Sequence, residues 1–439
     1  MTRERMDGLY MLLLGCLVFF SFGAALERTS SFAMGDFKAV YYGARCLIQH
    51  HDPYQESEFL SVYLSEGGAF PSNPILSRSL RQAIPVCINL PTALFAVTPL
   101  AILPSGLAEV LWMFLTAGSF ILASILMWSL GARYAPRISG GLVFLLLANS
   151  ELLLFVGNTA GVAVSLCVVA AWCFLEERFV PAGILLLAIS LALKPHDAGL
   201  VWLYFLLAGG VYRKRALQTL AVAAALILPA VLWVSHVAPH WMQELQSNLL
   251  ATSAHGGLND PGPASMGSHG IGMVICLQAV ISVFWDNARI YNPASYLVCG
   301  AMLLVWLRVT LRSRFSLARA WFALAAIAPL TMLPVYHRSY DARLLLLTVP
   351  ACVMLWAEGG VVRWLALLVN TAGILLTGDI AWAIFYGLIG KLHLSNSGLS
   401  GQILTVVQVF PAPLILLAMA VFYLWIYAHR APAKSQPGI

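Results

Sequence analysis

Of the 439 residues, 60% are hydrophobic and 10% charged, where a soluble domain carries about 25% charged residues. That balance excludes a soluble globular enzyme. The net charge of +6 comes largely from Lys and Arg in short loops, which is a signature of membrane topology and gives no reason to expect a nucleic-acid partner.

Apolar runs recur along the whole chain, and each run of about 17 to 25 residues can cross a hydrocarbon core of roughly 30 Å as a helix. Backbone groups in lipid must be satisfied within the segment, so these runs are predicted as helices rather than open sheet. The first, LYMLLLGCLVFFSFGAAL (residues 9–26), follows Arg3 and Arg5. It lacks a small-x-small cleavage site ahead of a soluble domain and reads as a retained transmembrane helix.

A polar segment, residues 27–87, comes next. It holds GDFKAVYYGARCLIQHHDPY and then SEGGAFPSNP, which reads as turns. Residues 86–103, VCINLPTALFAVTPLAIL, have the composition of a span but carry Pro91 and Pro99. If they crossed fully, the later basic markers would fall outside. These markers are Arg133, Arg137, Arg178, RKR at Arg213–Arg215, RVTLRSR at Arg308–Arg314 and the tail HRAPAK at His429–Lys434. Since Lys and Arg accumulate in cytoplasmic loops, 86–103 is assigned as re-entrant or interfacial. Segments 271–285 and 380–391 are assigned in the same way.

About twelve spans remain, starting near residues 9, 106, 138, 159, 180, 197, 216, 294, 317, 341, 361 and 403. Both termini are then cytoplasmic. Residues 237–270 form a second outer segment, an amphipathic interfacial helix in SHVAPHWMQELQSNL followed by the flexible HGGLNDPGPASMGSHGIG. The expected fold is all-α and polytopic, a single domain over 1–439, with re-entrant or interfacial helices on the outer face and loops 27–87 and 237–270 on the active-site side. No internal repeat is evident.

The eight cysteines lie mostly within apolar runs, without CxxC or Cys/His spacing for zinc. Cys16, Cys167, Cys173, Cys299 and Cys352 read as small apolar residues. Whether Cys46 and Cys87 pair on the oxidising side stays open.

With this orientation the scarce ionisable residues gather outside. Asp36, Lys38 and Arg45 follow the first helix, and Gly157-Asn158 forms the turn between the third and fourth spans. Lys194, His196 and Asp197 occupy LALKPHDAG, while His337, Arg338, Tyr340, Asp341 and Arg343 occupy LPVYHRSYDARLLLL. Any one such turn needs polar residues for its own sake, and a long basic side chain there can snorkel. Four converging on one face point to a shared outward cavity, because ionisable groups at membrane depth are costly and mark sites.

The inventory is one well-placed carboxylate, several cations and aromatic rings. His50, His51 and Asp52 do not make a metal centre by spacing, since adjacent side chains on a helix do not face one another and DPY reads as a turn. No phosphate loop, nucleophile elbow or dinucleotide fingerprint occurs in a credible context. A carboxylate can take a proton from an attacking hydroxyl, and cations can hold a departing phosphate. That pairing suits glycosyl transfer from a lipid-linked phosphate sugar.

At this point the residues resemble a known group, the glycosyltransferase-C (GT-C) superfamily, specifically its family 87 of polyprenol-phosphate-mannose-dependent mannosyltransferase-like integral membrane proteins. DFKAVYYGARCLIQHHDPY is similar to the family's entry D-x-x-x-Y-Y-x-A-A-x-x-x-x-x-x-x-D-P-Y. LPTALFAVTPLAILP resembles its proline-flanked apolar segment, the GN of FVGNTAG its G-Q/N-x-N turn, and LALKP follows in order. In the second half YHRSYDARLLLL stands where the family more often has a W-x-H-H-type turn.

The resemblance implies a GT-C-like fold and an inverting hexosyltransferase with Asp36 as catalytic base. It implies His337 as donor-phosphate contact, with Arg338, Arg343 and Lys194 as further candidates. Lys38, Tyr41, Tyr42, Asn158, His196, Tyr340 and Asp341 are the substrate-binding candidates. The implied partners are a polyprenyl-phosphate-linked sugar donor, a glycolipid or glycan acceptor and membrane lipids, in a bacterial cytoplasmic membrane with an extracytoplasmic site. No cofactor and no metal are implied for a monophosphate donor.

Each residue has a plainer reading. Asp36 could instead cap the helix FKAVYYGARCLI, Tyr41 and Tyr42 suit packing at a membrane boundary, and Asn158 either binds substrate or satisfies a buried turn. Asp341 reads as an orienter of Arg338 or Arg343. Glu151 has no evident partner, and His236, His240, Trp241, His255 and His269 lie on the second outer segment. A transporter or flippase of a lipid-linked sugar is the alternative function, which calls for mid-membrane charges and repeat symmetry. A non-catalytic scaffold would have no need of Asp36.

Overall fold

The computed structural model describes residues 2–28, 33–265, 274–380, 383–384 and 398–430. The described residues are helical, apart from turns and one isolated β-bridge, and the protein is a polytopic helical membrane protein. Among the described residues seven helices are long and apolar enough to cross a membrane. Other expected spans fall on shorter apolar helices such as Thr159–Leu175, Val180–Leu193, Leu317–Thr331 and Gly360–Leu376.

In chain order the helices are α1 (Arg3–Glu27), α2 (Gly35–Ile48), α3 (Glu56–Ser65), α4 (Pro74–Ala83), α5 (Pro91–Ala101), α6 (Ser105–Gly131), α7 (Pro136–Leu147), α8 (Leu152–Val156), α9 (Thr159–Leu175) and α10 (Val180–Leu193). There follow α11 (Pro195–Leu207), α12 (Gly210–Val237), α13 (Trp241–Ser253), α14 (Leu277–Phe284), α15 (Ala288–Arg312) and α16 (Leu317–Thr331). A 3-10 helix (Ser339–Leu347) leads into α17 (Thr348–Glu358), then α18 (Gly360–Leu376), α19 (Leu399–Val409) and α20 (Pro411–His429).

Prolines set several boundaries. Pro195 breaks α10 from α11, because a proline supplies no N–H to a continuing helix and biases the residue before it, Lys194, toward extended backbone. The span expected from residue 403 is corrected in the same way. Pro411 divides it, and the membrane-length helix is α20, beginning eight residues later at position 411. α5 has 11 residues, about 16 Å at 1.5 Å per residue, too short to cross a bilayer alone. It packs on α2, where a Cβ on Gly43 would lie 2.8 Å from Leu94 Cδ2 and Arg45 donates to the Ala101 carbonyl at 2.8 Å. In its described part the segment expected to be interfacial at 271–285 holds the eight-residue α14, and most of 380–391 lies outside the described residues.

Helix association within lipid relies on close backbone approach and interhelical hydrogen bonds. α1 and α7 cross through Gly8 and Gly140, and a Cβ on Gly140 would lie 2.5 Å from the Gly8 carbonyl oxygen and 2.6 Å from its Cα. The far face of α1 exposes Tyr10, Leu13, Leu14, Leu17 and Phe22, as a lipid-facing helix should. In the interior Thr348 donates to Asn370 at 2.5 Å, and Asn370 also bonds Tyr423. Gly140→Leu is expected to lower stability by about 1–3 kcal/mol through overpacking, read as a lower unfolding midpoint in detergent. Gly141→Leu, which faces only the Met11 sulfur at 3.9 Å, should fall well short of that.

The two ends of the bundle differ. At one end Arg133 forms a two-pronged pair with Glu176, Arg137 pairs with Asp7, Arg215 donates to the Phe174 carbonyl, and Arg319 and Arg430 tie α16, α17 and α20 together. The opposite helix ends bring together Asp36, Asn158, Lys194 and the 337–341 turn.

Between α12 and α14 the second polar segment begins with α13, which exposes Met242, Leu249 and Leu250 and buries Leu245. The stretch after it is a built turn in its described part. Asp260 accepts the Gly256 and Gly262 N–H groups at 2.7 and 2.8 Å, and Arg338 donates to the Leu258 carbonyl at 2.9 Å. His269 lies outside the described residues.

α13 is held to the first polar segment by Asn248, which donates to the carbonyls of Tyr54 and Cys87 at 3.1 and 3.0 Å, and by Gln55, which donates to Glu244 at 3.0 Å. Asp52 sits at this junction and accepts the Tyr54 N–H at 2.8 Å, the turn expected of DPY. Burial, with a further push from the neighbouring Glu244 carboxyl, raises Asp52 to about 6 against the pull of the Tyr54 N–H. Because its folded pKa lies above its unfolded value near 3.9, the junction is tightest in acid and loosens as pH rises through about 6. Hydrogen exchange of α13 amides, corrected for intrinsic rates, should therefore be faster at pH 8 than at pH 5, and Asp52→Asn should remove the difference.

Candidate functional site

The site assembles where four chain segments meet. Met34 and Gly157 both take the left-handed conformation, with φ of 56° and 66°, and the Met34 N–H bonds the Phe155 carbonyl at 2.6 Å. A Cβ on Gly157 would lie 2.6 Å from the Met34 sulfur and 2.8 Å from the Phe37 Cβ, so glycine permits the close approach of α2 to the α8–α9 turn. Trp112 of α6 fixes that turn by donating to the Gly157 carbonyl at 2.8 Å. Asp36 is thereby brought beside Asn158.

Asn158 caps α9: its Oδ1 accepts the Ala160 N–H at 2.8 Å. With the oxygen committed to the cap, the amide nitrogen faces the site and donates to Asp36 Oδ2 at 2.7 Å and to the Tyr340 hydroxyl at 3.1 Å. Of the two sequence readings of Asn158, the structure shows the one that satisfies a turn, here as a helix cap, and the same cap directs the amide nitrogen to Asp36 and Tyr340. Met34 rather than Asp36 holds the N-cap position of α2, and the Asp36 carboxylate, in the first turn of that helix, accepts from Asn158. Burial raises its pKa above the ordinary carboxylate value, against the Asn158 hydrogen bond and the nearby charges of Arg338 and Lys194.

Lys194 donates to Asp341 Oδ1 at 2.8 Å, lies 5.2 Å from the Tyr340 ring centroid and stands 3.8 Å from Asp197 Oδ2. Asp341 also accepts the Arg338 backbone N–H at 2.8 Å. It therefore orients the Arg338 main chain and Lys194, not the Arg343 guanidinium. Arg338 contacts the Tyr336 hydroxyl and reaches the 254–265 turn. The 337–341 turn is itself pinned by the Ile275 N–H, which bonds the His337 carbonyl at 3.0 Å. A 3-10 run of nine residues follows, longer than such helices usually extend.

Other predicted residues are placed elsewhere. Arg343 is 1% exposed and paired with Asp379 at 2.8 Å, and Asp379 also accepts the Leu152 N–H at 2.7 Å. Glu151, which has no evident partner in the sequence, lies close enough to this pair to feel both charges. Lys38 donates to the Ala33 carbonyl at 2.9 Å and faces Glu109 at 3.8 Å. Tyr41 and Tyr42 are packed inside, Tyr41 donating to the Leu103 carbonyl at 2.7 Å. His51 faces Glu58 at 3.4 Å, and Cys46 and Cys87 are buried free thiols.

His337 is fully buried, with Nδ1 3.0 Å from the Val335 carbonyl and Nε2 3.2 Å from Asp197 Oδ1. His196 is exposed and packs edge-on against it at 5.1 Å. The sequence reading places Asp197 among the gathered outer residues without giving it a role, and it misses Tyr336. Each stands next to a named candidate in its motif, and that adjacency was the available signal. Comparison of the chain with family models, with curated proteins and with solved structures finds no match.

Proposed function

We propose that the protein is an integral membrane glycosyltransferase that moves a sugar, mannose or another hexose, from a polyprenyl-phosphate donor to a glycolipid or glycan acceptor at the extracytoplasmic face of a bacterial cytoplasmic membrane. The observation that carries the reading is the hydrogen-bonded run Asp36–Asn158–Tyr340 with Lys194 and Arg338 beside it, at the helix ends opposite the arginine-rich ones. Its GT-C-like fold of about twelve crossings, counting shorter helices as spans where neighbours bury them, and the family 87 motifs around Asp36 belong to the same proposal.

In this mechanism Asp36 takes the proton from the acceptor hydroxyl as its oxygen attacks the anomeric carbon. The bond from that carbon to the phosphate oxygen breaks, and the polyprenyl phosphate leaves with the electron pair. Lys194 and Arg338 hold the departing charge. Arg343 and His337 are fully buried, whereas Lys194 and Arg338 are half-buried, so the phosphate is assigned to these two cations. Tyr340 and Asn158 position the carboxylate.

The ionisable groups of this cluster lie at helix ends rather than along a mid-membrane path, which favours transfer over transport. Proteoliposomes given radiolabelled polyprenyl-phosphate mannose and a pool of acceptor glycolipids test the choice. Transfer yields a labelled glycolipid with a new glycosidic bond. Label that crosses the bilayer without a new bond would assign the chain to transport.

A further inference from the structure

We propose that His196, Asp197 and His337 form a binding site for a zinc-class divalent cation. This proposal stands on the cluster alone and holds whether or not the chain transfers sugars. Among the described residues these three make a group whose ligand atoms all lie within 4.8 Å of one another.

The separations suit one ion. Asp197 Oδ1 lies 3.2 Å from His337 Nε2 and 3.9 Å from His196 Nε2. Zinc bonds to nitrogen and carboxylate oxygen of about 2.0–2.2 Å at tetrahedral angles place ligand atoms roughly 3.3 Å apart, so small side-chain movements complete the site. His196 and Asp197 are adjacent in the chain but sit in the first turn of α11, just after the Pro195 break, and their ligand atoms approach to 3.9 Å.

The hydrogen bonding is what asks for a cation. His337 Nδ1 faces the Val335 carbonyl at 3.0 Å, a backbone acceptor that holds the proton on Nδ1 and leaves the Nε2 lone pair pointing at Asp197. A carbonyl partner of this kind is the usual outer support of a metal-bound histidine. Lone pair then meets carboxylate oxygen, which is unfavourable unless a positive centre lies between them. Asp197 Oδ1 and Oδ2 and His337 Nε2 are all buried without a hydrogen bond of proper geometry, in side chains 1% and 0% exposed. Lys194 does not fill the gap, since it donates to Asp341 and stands 3.8 Å from Asp197 Oδ2, leaving Oδ1 to the histidines. The exposed His196 provides the way in, and two imidazoles with one carboxylate are the donor set that selects zinc-class ions over calcium or magnesium. The fourth position is left for water or an anionic oxygen.

The test uses the full chain in detergent with any polyhistidine tag removed. After chelation and dialysis it is titrated with Zn2+ and, separately, with Co2+, with metal content measured by mass spectrometry. Wild type should retain one zinc per chain and give the visible absorption of four-coordinate Co2+. His196→Ala, chosen because its side chain is exposed and folding should tolerate the change, should weaken binding at least tenfold, and Asp197→Asn should abolish it, with helical circular dichroism unchanged. Retention of no metal by wild type, or equal binding by His196→Ala and wild type, would overturn the proposal and leave the pair as an imidazolium–carboxylate contact.

Discussion

Asp36→Asn is expected to lower sugar transfer by about 10²–10⁴-fold, the range attributable to a positioned general base, with little change in the apparent affinity for donor. Asparagine keeps the shape of the side chain, and its Oδ1 still accepts from Asn158 Nδ2, the contact now made at 2.7 Å. What it loses is the capacity to take a proton. Because burial raises the Asp36 pKa, the base is protonated over more of the acid range than an exposed aspartate. Wild-type transfer should therefore rise with pH through a value above the ordinary 3.8, and the residual activity of Asp36→Asn should lack that limb. The stability effect has the opposite sign. A folded pKa above the unfolded one favours folding in acid, and this contribution disappears as pH rises through the folded pKa. At neutral pH the asparagine variant should then be at least as stable as wild type, so that activity and folding separate. A variant that loses transfer only because it unfolds would instead show a lowered melting midpoint.

Arg343→Ala is expected to destabilise the protein by about 3–5 kcal/mol, the penalty for stripping one partner from a buried ion pair. Asp379 would be left buried beside Glu151, holding only the Leu152 N–H. This pair joins the end of α18, the α7–α8 break and the 3-10 helix, so its loss should be felt across the site-bearing turn. The double variant Arg343→Met with Asp379→Leu removes both charges and should recover much of the loss, since apolar replacement of a buried pair is often close to neutral. Denaturation midpoints of Arg343→Met, Asp379→Leu and the double in the same detergent give the coupling. Equal destabilisation in single and double variants would mean that packing rather than charge is responsible.

The gathering of polar turns at one end of the bundle was legible because ionisable residues are rare in this chain and each falls beside an apolar run. Asp36, Lys194 and Tyr340 could be singled out for that reason and Asn158 as the turn residue after Gly157, and the structure joins them within hydrogen-bond or ring-contact distance. The partners of individual charges were not legible. Arg343 pairs with Asp379 and His337 with Asp197, across separations in sequence that only tertiary packing closes. From sequence Arg343 reads as a donor-phosphate candidate in an outer turn, whereas burial pairs it with Asp379. Span counting met a similar limit, since helices such as α9 and α16 are shorter than a bilayer needs but are enclosed by neighbours, and hydropathy alone does not distinguish a protein-surrounded helix from a lipid-facing one. The Pro411 break was visible as a residue but was overridden by the run of apolar side chains on both sides of it.

The most direct measurement is a cryo-electron microscopy structure of the protein with a polyprenyl-phosphate sugar bound. The phosphate should lie within hydrogen-bond distance of Lys194 and Arg338, with the anomeric carbon between it and Asp36. Lipid phosphate seated instead at the opposite end of the bundle, in the basic cleft of about 480 Å³ lined by Arg308, Arg312 and Arg319, with Asp36 remote from the sugar, would contradict the account.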